Sequence, residues 1–293
     1  MLSLERILVP IDFSDASRAA INQAVSLAGH FQSRLTLLHV NESTVFHPLA
    51  GPLGFGVAPR EVLSAEHLAA RRKLLDEFCA NELGGVAVKR LVCNGDPARL
   101  IAERASQEKS DLILMPTHGV GLFRRFLLGS VTAKILHDVN CPVWTGAHLV
   151  DTQALVPAKV RHVMCAVNFG PLTLKAVRWA ADFAAEFRAK LTIVHAVLDT
   201  PPNLPERYMF QWHEEARQGA EERFRTLLLD AKIHADRLLV SDGDIPGAIS
   251  AAVVENRAEL LVIARRGGGD VPKRLGPHTY GIVCSAPCPV ISV

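Results

Sequence analysis

RILVPIDF (residues 6–13) and HVMCAVNF (162–169) are the stretches on which the fold turns. Each is a short apolar run that ends in Asp-Phe or Asn-Phe, and the two stand 156 residues apart. LTLLHV (35–40) and LTIVHAV (191–197) keep that offset. Further along, NGDP (94–97) matches DGDI (242–245) and DLILMP (111–116) matches ELLVIA (259–264), both at an offset of 148. CPVW (141–144) and CPVI (288–291) close the series at 147. Landmarks kept in order at a shrinking offset mean duplication followed by trimming. Most of the loss falls between 41 and 94, where the first copy carries STVFHPLAGPLGFGVAPR (43–60) and the second only DTPPNLPER (199–207).

Within each copy the pattern alternates. In the first, β-branched runs at 6–11, 35–41, 86–93, 111–116 and 142–145 read as buried parallel strands. Between them lie amphipathic stretches at 14–31, 59–83, 97–108 and 129–139. Ser14 is the expected N-cap of the first, with Ala20, Ala24, Leu27 and Ala28 on one face; Val131, Ile135 and Val139 form the stripe of the last. Such βαβα alternation implies an α/β fold with a parallel sheet, built twice as two Rossmann-like domains. The expected boundaries are 1–147 and 161–293, with a linker at 148–160. The CPVW and CPVI strands are candidate pairing edges between the copies, which gives an internal pseudo-dimer.

Bulk properties bound the function. A chain of 293 residues fits about two domains. A net charge of +2 with 21% charged residues leaves no basic footprint for nucleic acid. The start, MLSLERILVPIDFSD, is charged at Glu5 and Arg6, and no apolar run reaches the ~18 residues of a membrane span. The six cysteines lack metal-site spacing, and Cys165 inside an apolar run reads as a reduced, buried thiol. A cytoplasmic protein with no membrane partner is the expectation.

Open parallel sheets bind ligands beyond the carboxyl ends of their strands, where strand order reverses. Two ends stand out: Pro10-Ile11-Asp12, and Met115-Pro116-Thr117-His118-Gly119. If these strands are neighbours, Asp12 can accept hydrogen bonds from a ribose diol beside a loop that leads into a helix. Unpaired amides and the positive dipole end at that helix start suit a phosphate. Gly119 and Gly129 allow close backbone approach, Ser130 adds a hydroxyl, and Arg124 and Arg125 are either phosphate partners or solvated loop charges. Asp12 equally reads as a cap of the first helix, and the two roles are compatible. His39 and His195, at equivalent strand ends, read as hydrogen-bonded core or loop residues.

The sequence Gly119, nine residues, Gly129-Ser130, with the flanking LLGSV and the terminal CPVW, resembles the universal stress protein family, in particular its tandem two-domain members. The resemblance spans nearly the whole chain. It implies two domains like the adenine nucleotide alpha hydrolases, each a five-stranded sheet of order 3-2-1-4-5. It also implies adenine-nucleotide binding, ATP with or without Mg2+, in a stress-response role. By position Asp12 meets the ribose and Val40 lies against the adenine. Thr117, His118, Gly119, Gly129, Ser130 and Val131 meet the phosphates, with Pro10, Ile11, Met115, Pro116 and Thr132 around them.

Two departures stand against that pattern. Pro116 replaces the family's first glycine, and a proline has no N–H to donate. In the second copy Asn168 replaces the aspartate and Pro277 the serine, while glycines 267–269 are off register. That half reads as a degenerate copy; the alternative is that its glycine loop holds a different anion. For the whole chain the expected role is a nucleotide-dependent switch that a protein partner reads. The alternatives are a nucleotide-free scaffold and a slow ATPase in which His118 orients water and Asp12 or Asp96 helps hold metal. A homodimer of the tandem chain is left open.

Overall fold

The computed structural model describes residues 2–42, 65–117, 128–146, 160–197, 205–265 and 276–293. The 43–60 insert, His118, Gly119, Arg124, Arg125, the 267–269 glycines and most of the linker lie outside the described residues.

In the first half the elements run β1 (Arg6–Ile11), α1 (Asp15–Phe31), β2 (Arg34–Asn41), α2 (Ala65–Glu77), β3 (Ala87–Asn94), α3 (Pro97–Gln107), β4 (Leu112–Met115), α4 (Ser130–Asp138) and β5 (Val143–Thr145). The second half repeats them as β6 (His162–Ala166), α5 (Thr173–Phe187), β7 (Lys190–Val197), α6 (Glu206–Ala231), β8 (Arg237–Asp242), α7 (Ile245–Glu255), β9 (Leu260–Ile263), α8 (Pro277–Ser285) and β10 (Val290–Ser292). Strand order in the first half is 3-2-1-4-5, and the second half has the same order in its own strands. All pairs inside a half are parallel. β5 and β10 pair antiparallel, Trp144 opposite Ile291, and join the halves into one ten-stranded sheet.

The central strands β1, β4 and β9 are nearly unbroken apolar runs because both their faces are covered. Along β1, Ile7, Val9 and Ile11 pack on the side of α1 and α2, while Leu8 packs on the side of α3 and α4. Ala20, Ala24, Leu27 and Ala28 of α1 are buried on the first of these faces, as their spacing predicts. Ile135 and Val139 are buried on the other; Val131 is half-buried there, and Thr132 and Leu136 widen the stripe. The helix expected over 59–83 ends earlier. α2 stops at Glu77, and the chain turns through Cys79 at φ +56° and Gly85 at φ +83°, left-handed conformations that no helix continues.

Candidate functional site

β1 lies between β2 and β4, so the carboxyl ends of these three strands form one edge. Asp12 follows β1 directly. Its Oδ1 accepts the Ser14 N–H at 3.0 Å and the hydroxyls of Ser14 and Ser17, and its own N–H donates to the Ser17 hydroxyl at 3.1 Å. Ser14 caps α1, its hydroxyl accepting the Ser17 N–H at 3.1 Å. The serine network consumes one carboxylate oxygen; among the described residues Oδ2 has no hydrogen-bond donor. Half-burial pushes the carboxyl pKa up, but the Ser14 and Ser17 hydroxyls and the Ser14 amide outweigh it, so Asp12 titrates below its ordinary value of 3.8. It is therefore an anion at neutral pH with one oxygen to offer.

His39, near the end of β2, is buried and holds the Ile11 carbonyl through Nδ1 at 2.8 Å. His195 does the same to the Val167 carbonyl at 2.8 Å in the second half. Both histidines thus fix the strand end just before Asp12 or Asn168. Val40 is half-buried and packs on the α3/α4 side of the sheet, the same side as Met115.

The start of α4 is clipped to the end of β4. The Gly129 N–H donates to the Thr117 carbonyl at 2.8 Å, and the Thr132 hydroxyl donates to the Pro116 carbonyl at 3.1 Å. Gly129 has φ −58° and ψ +145°, which any residue adopts, so its glycine is not demanded by the backbone. Its amide is engaged by the Thr117 carbonyl, so what it offers a ligand is close approach without a Cβ. The first bond of the helix ladder runs from Ala133 N to Gly129 O at 2.8 Å, so the amides of Ser130, Val131 and Thr132 precede any intrahelical acceptor. Ser130 is exposed, Val131 half-exposed, and Thr117 and Thr132 are buried.

Asp96 lies elsewhere in role. It caps α3 by accepting the Arg99 N–H at 2.8 Å and pairs with Lys134 of α4 at 3.5 Å. Its carboxyl is lowered chiefly by the Arg99 amide. Among the described residues no group of three or more His, Cys, Asp or Glu comes together as a metal site.

The second half preserves the scaffold and drops the charge. Asn168 Oδ1 accepts the Gly170 N–H at 3.0 Å and the Thr173 hydroxyl at 3.5 Å, the same two steps that Asp12 takes. α8 begins at Gly276 with φ −57° and ψ +145°, a copy of Gly129, but Pro277 follows.

The two halves each match the model of the universal stress protein family, over residues 3–145 and 159–293. The chain belongs to that family. As a tandem two-domain member it is 26% identical to a universal stress protein of Mycolicibacterium smegmatis, over 98% of this chain and 96% of that one. It is 32% identical to the universal stress protein MJ0531 of Methanocaldococcus jannaschii, which covers 47% of this chain and 79% of its own. A universal stress protein structure from Archaeoglobus fulgidus superposes with a TM-score of 0.66 at 20% identity, over 99% of this chain and 96% of that one, and shares its fold. The tandem domains fit an internal pseudo-dimer. No helix among the described residues is long and apolar enough to cross a membrane.

Two residues escaped the sequence reading. Arg265, just past β9, is buried and donates into the carboxyl end of α4. Tyr280 of α8 accepts the Leu128 N–H at 3.2 Å. A cation closing the apolar run LLVIAR was the only available signal for the first.

Proposed function

We propose that the first half binds an adenine nucleotide, with ATP the expected ligand, and that the bound state is read as a stress-response signal. The ribose sits at Asp12 and the base against Val40. The phosphate chain meets the amides of Ser130, Val131 and Thr132, with Thr117, Met115 and Pro116 at its floor and Pro10 and Ile11 behind the sugar. By the family resemblance, His118 and Gly119 would meet the same phosphates. The domains are 1–147 and 161–293 around a 148–160 linker, and the compartment is the cytoplasm. The observation that carries this reading is the meeting, at one sheet edge, of an ionised carboxylate with a free oxygen and a helix start with three amides outside the ladder. The second half, with Asn168 and Pro277, does not bind the same ligand.

The test is direct. Purify without added nucleotide, denature, and assay the supernatant for adenine nucleotide by absorbance and mass; then titrate the stripped protein with ATP. Binding in the native chain that is lost in both Asp12→Ala and Gly129→Val is expected. No nucleotide recovered and no heat on titration would replace this reading with the scaffold. One observation already favours that second reading: Pro116 has no N–H and the Gly129 N–H is taken, so the loop base offers few donors. Phosphate release above a Ser130→Ala control would add turnover to binding.

A further inference from the structure

We propose that the second half is a working part of the first half's site, because Arg265 and Tyr280 grip α4 at its two ends and hold its leading amides in place. This rests on the nucleotide reading above, since α4 is the helix that offers those amides.

Arg265 is 3% exposed. At the repeat offset of 148 it stands where the first copy has Thr117. Its side chain does not stay with its own half. Nη1 donates to the Leu136 carbonyl at 3.0 Å and the Val139 carbonyl at 2.5 Å, and Nη2 donates to the Cys141 carbonyl at 2.6 Å. These are the last carbonyls of α4 and the turn that follows it. Burial lowers the guanidinium pKa to about 10, which leaves it a cation at neutral pH. Among the described residues no carboxylate pairs with it. Its charge is met instead by the negative end of α4, where unpaired carbonyls accumulate. A buried cation without a counter-ion is costly, so an apolar side chain would serve packing alone better. The fork's match to three carbonyls points to fixing α4, not to filling space.

Tyr280 holds the other end. It lies in α8 at the position that corresponds, at an offset of 147, to Ala133. Its hydroxyl accepts the N–H of Leu128, the residue before Gly129. α4 has nine residues and no side-chain N-cap, so it relies on partners outside itself: its own half supplies the Thr117 and Pro116 carbonyls and the Asp96 carboxylate, and Tyr280 adds the second half. The equivalent residues of the first copy, Thr117 and Ala133, carry neither a guanidinium nor a ring, so the support runs from the second half to the first. The copy that lost the ribose carboxylate and the helix-start serine has become a brace. Arg265 and Tyr280 are positioning residues, and neither need touch the ligand.

The experiment uses the full chain as Arg265→Met, Arg265→Lys and Tyr280→Phe. The control is Phe224→Leu, a buried truncation in α6 that lowers Tm on the opposite face of the sheet from α4. ATP affinity is measured by titration, and hydrogen exchange of residues 128–138 is followed without nucleotide. Arg265→Met is expected to weaken ATP by about five- to tenfold, Arg265→Lys to recover part of that, and Tyr280→Phe to lose less. Phe224→Leu should lose Tm without losing affinity, which separates positioning from general stability. Exchange across α4 should quicken in Arg265→Met and Tyr280→Phe and not in the control. Wild-type affinity in Arg265→Met overturns the proposal. If the native chain binds no ATP, α4 exchange decides: quickened exchange keeps the brace and discards the nucleotide, and unchanged exchange discards both.

Discussion

Asp12 and Asn168 occupy the same step of the same loop, and their Oδ1 atoms accept from equivalent partners. The loop therefore needs an acceptor, and only the ligand needs the charge. Asp12→Asn is expected to fold at neutral pH with a small loss of Tm and to lose ATP. The pH dependence has a definite sign. A carboxyl held below its ordinary 3.8 stabilises the fold while ionised, and that contribution disappears as pH falls through its lowered value. The Tm difference between wild type and Asp12→Asn should thus be largest near neutrality and shrink as pH falls below 3.8 toward the lowered value; a constant difference would show that the serine network does not depend on the charge. Pro116 is the converse case. Pro116→Gly restores an N–H where the family has glycine, while the carbonyl that takes the Thr132 hydroxyl is kept. One added donor is expected to tighten ATP by up to about tenfold, read by titration. Side chains with local partners, such as Ser14 as a cap, were legible because capping is a short-range rule. Arg265 was not, because its acceptors lie across the junction between the copies, 124 to 129 residues back in the chain.

At the scale of elements, α4 and α8 form a natural comparison. Both open on a glycine in the same extended conformation; Ser130 follows in one and Pro277 in the other. Proline suits the first helical position because its fixed φ is already helical and no ladder bond is lost. Ser130→Pro is therefore expected to leave Tm nearly unchanged, as α8 itself attests, while removing one phosphate donor and the hydroxyl. ATP affinity should fall by about tenfold or more; unchanged affinity would mean the phosphates lie elsewhere. The same logic explains which elements the sequence revealed. Strands buried on both faces announce themselves as unbroken apolar runs, and β1 and α1 begin and end within a residue of expectation. α2 was overdrawn because Phe78 and Leu83 prolong an apolar spacing that the backbone does not follow. They pack from a turn, with Cys79 in the left-handed region between them.

For the whole molecule, the need of an edge strand for a partner foretold that CPVW and CPVI would meet, but not that the result would be one continuous sheet. β5 and β10 have only three residues each, and side chains beyond their ladder extend the join. Trp144 is fully buried and packs edge-on to Phe183 of the second half at 5.9 Å. His30 meets Glu186 at 2.8 Å, and Phe31 packs against Phe187 at 5.9 Å. These last pairs are repeat equivalents, 156 residues apart, so the join follows the symmetry of the duplication. The outer edges differ from this centre. β3 carries Lys89 and Arg90, and β8 carries Arg237, charges that discourage further pairing. A fragment of residues 1–146 would keep the charged β3 edge and expose β5 with Trp144. It is expected to self-associate through β5, with a concentration-dependent sedimentation coefficient, whereas the full chain keeps that edge covered. Trp144→Lys in the fragment should return it to monomer by placing a charge on the exposed edge. A fragment that sediments as a monomer with a native Tm would show that the second half is not needed to cover β5.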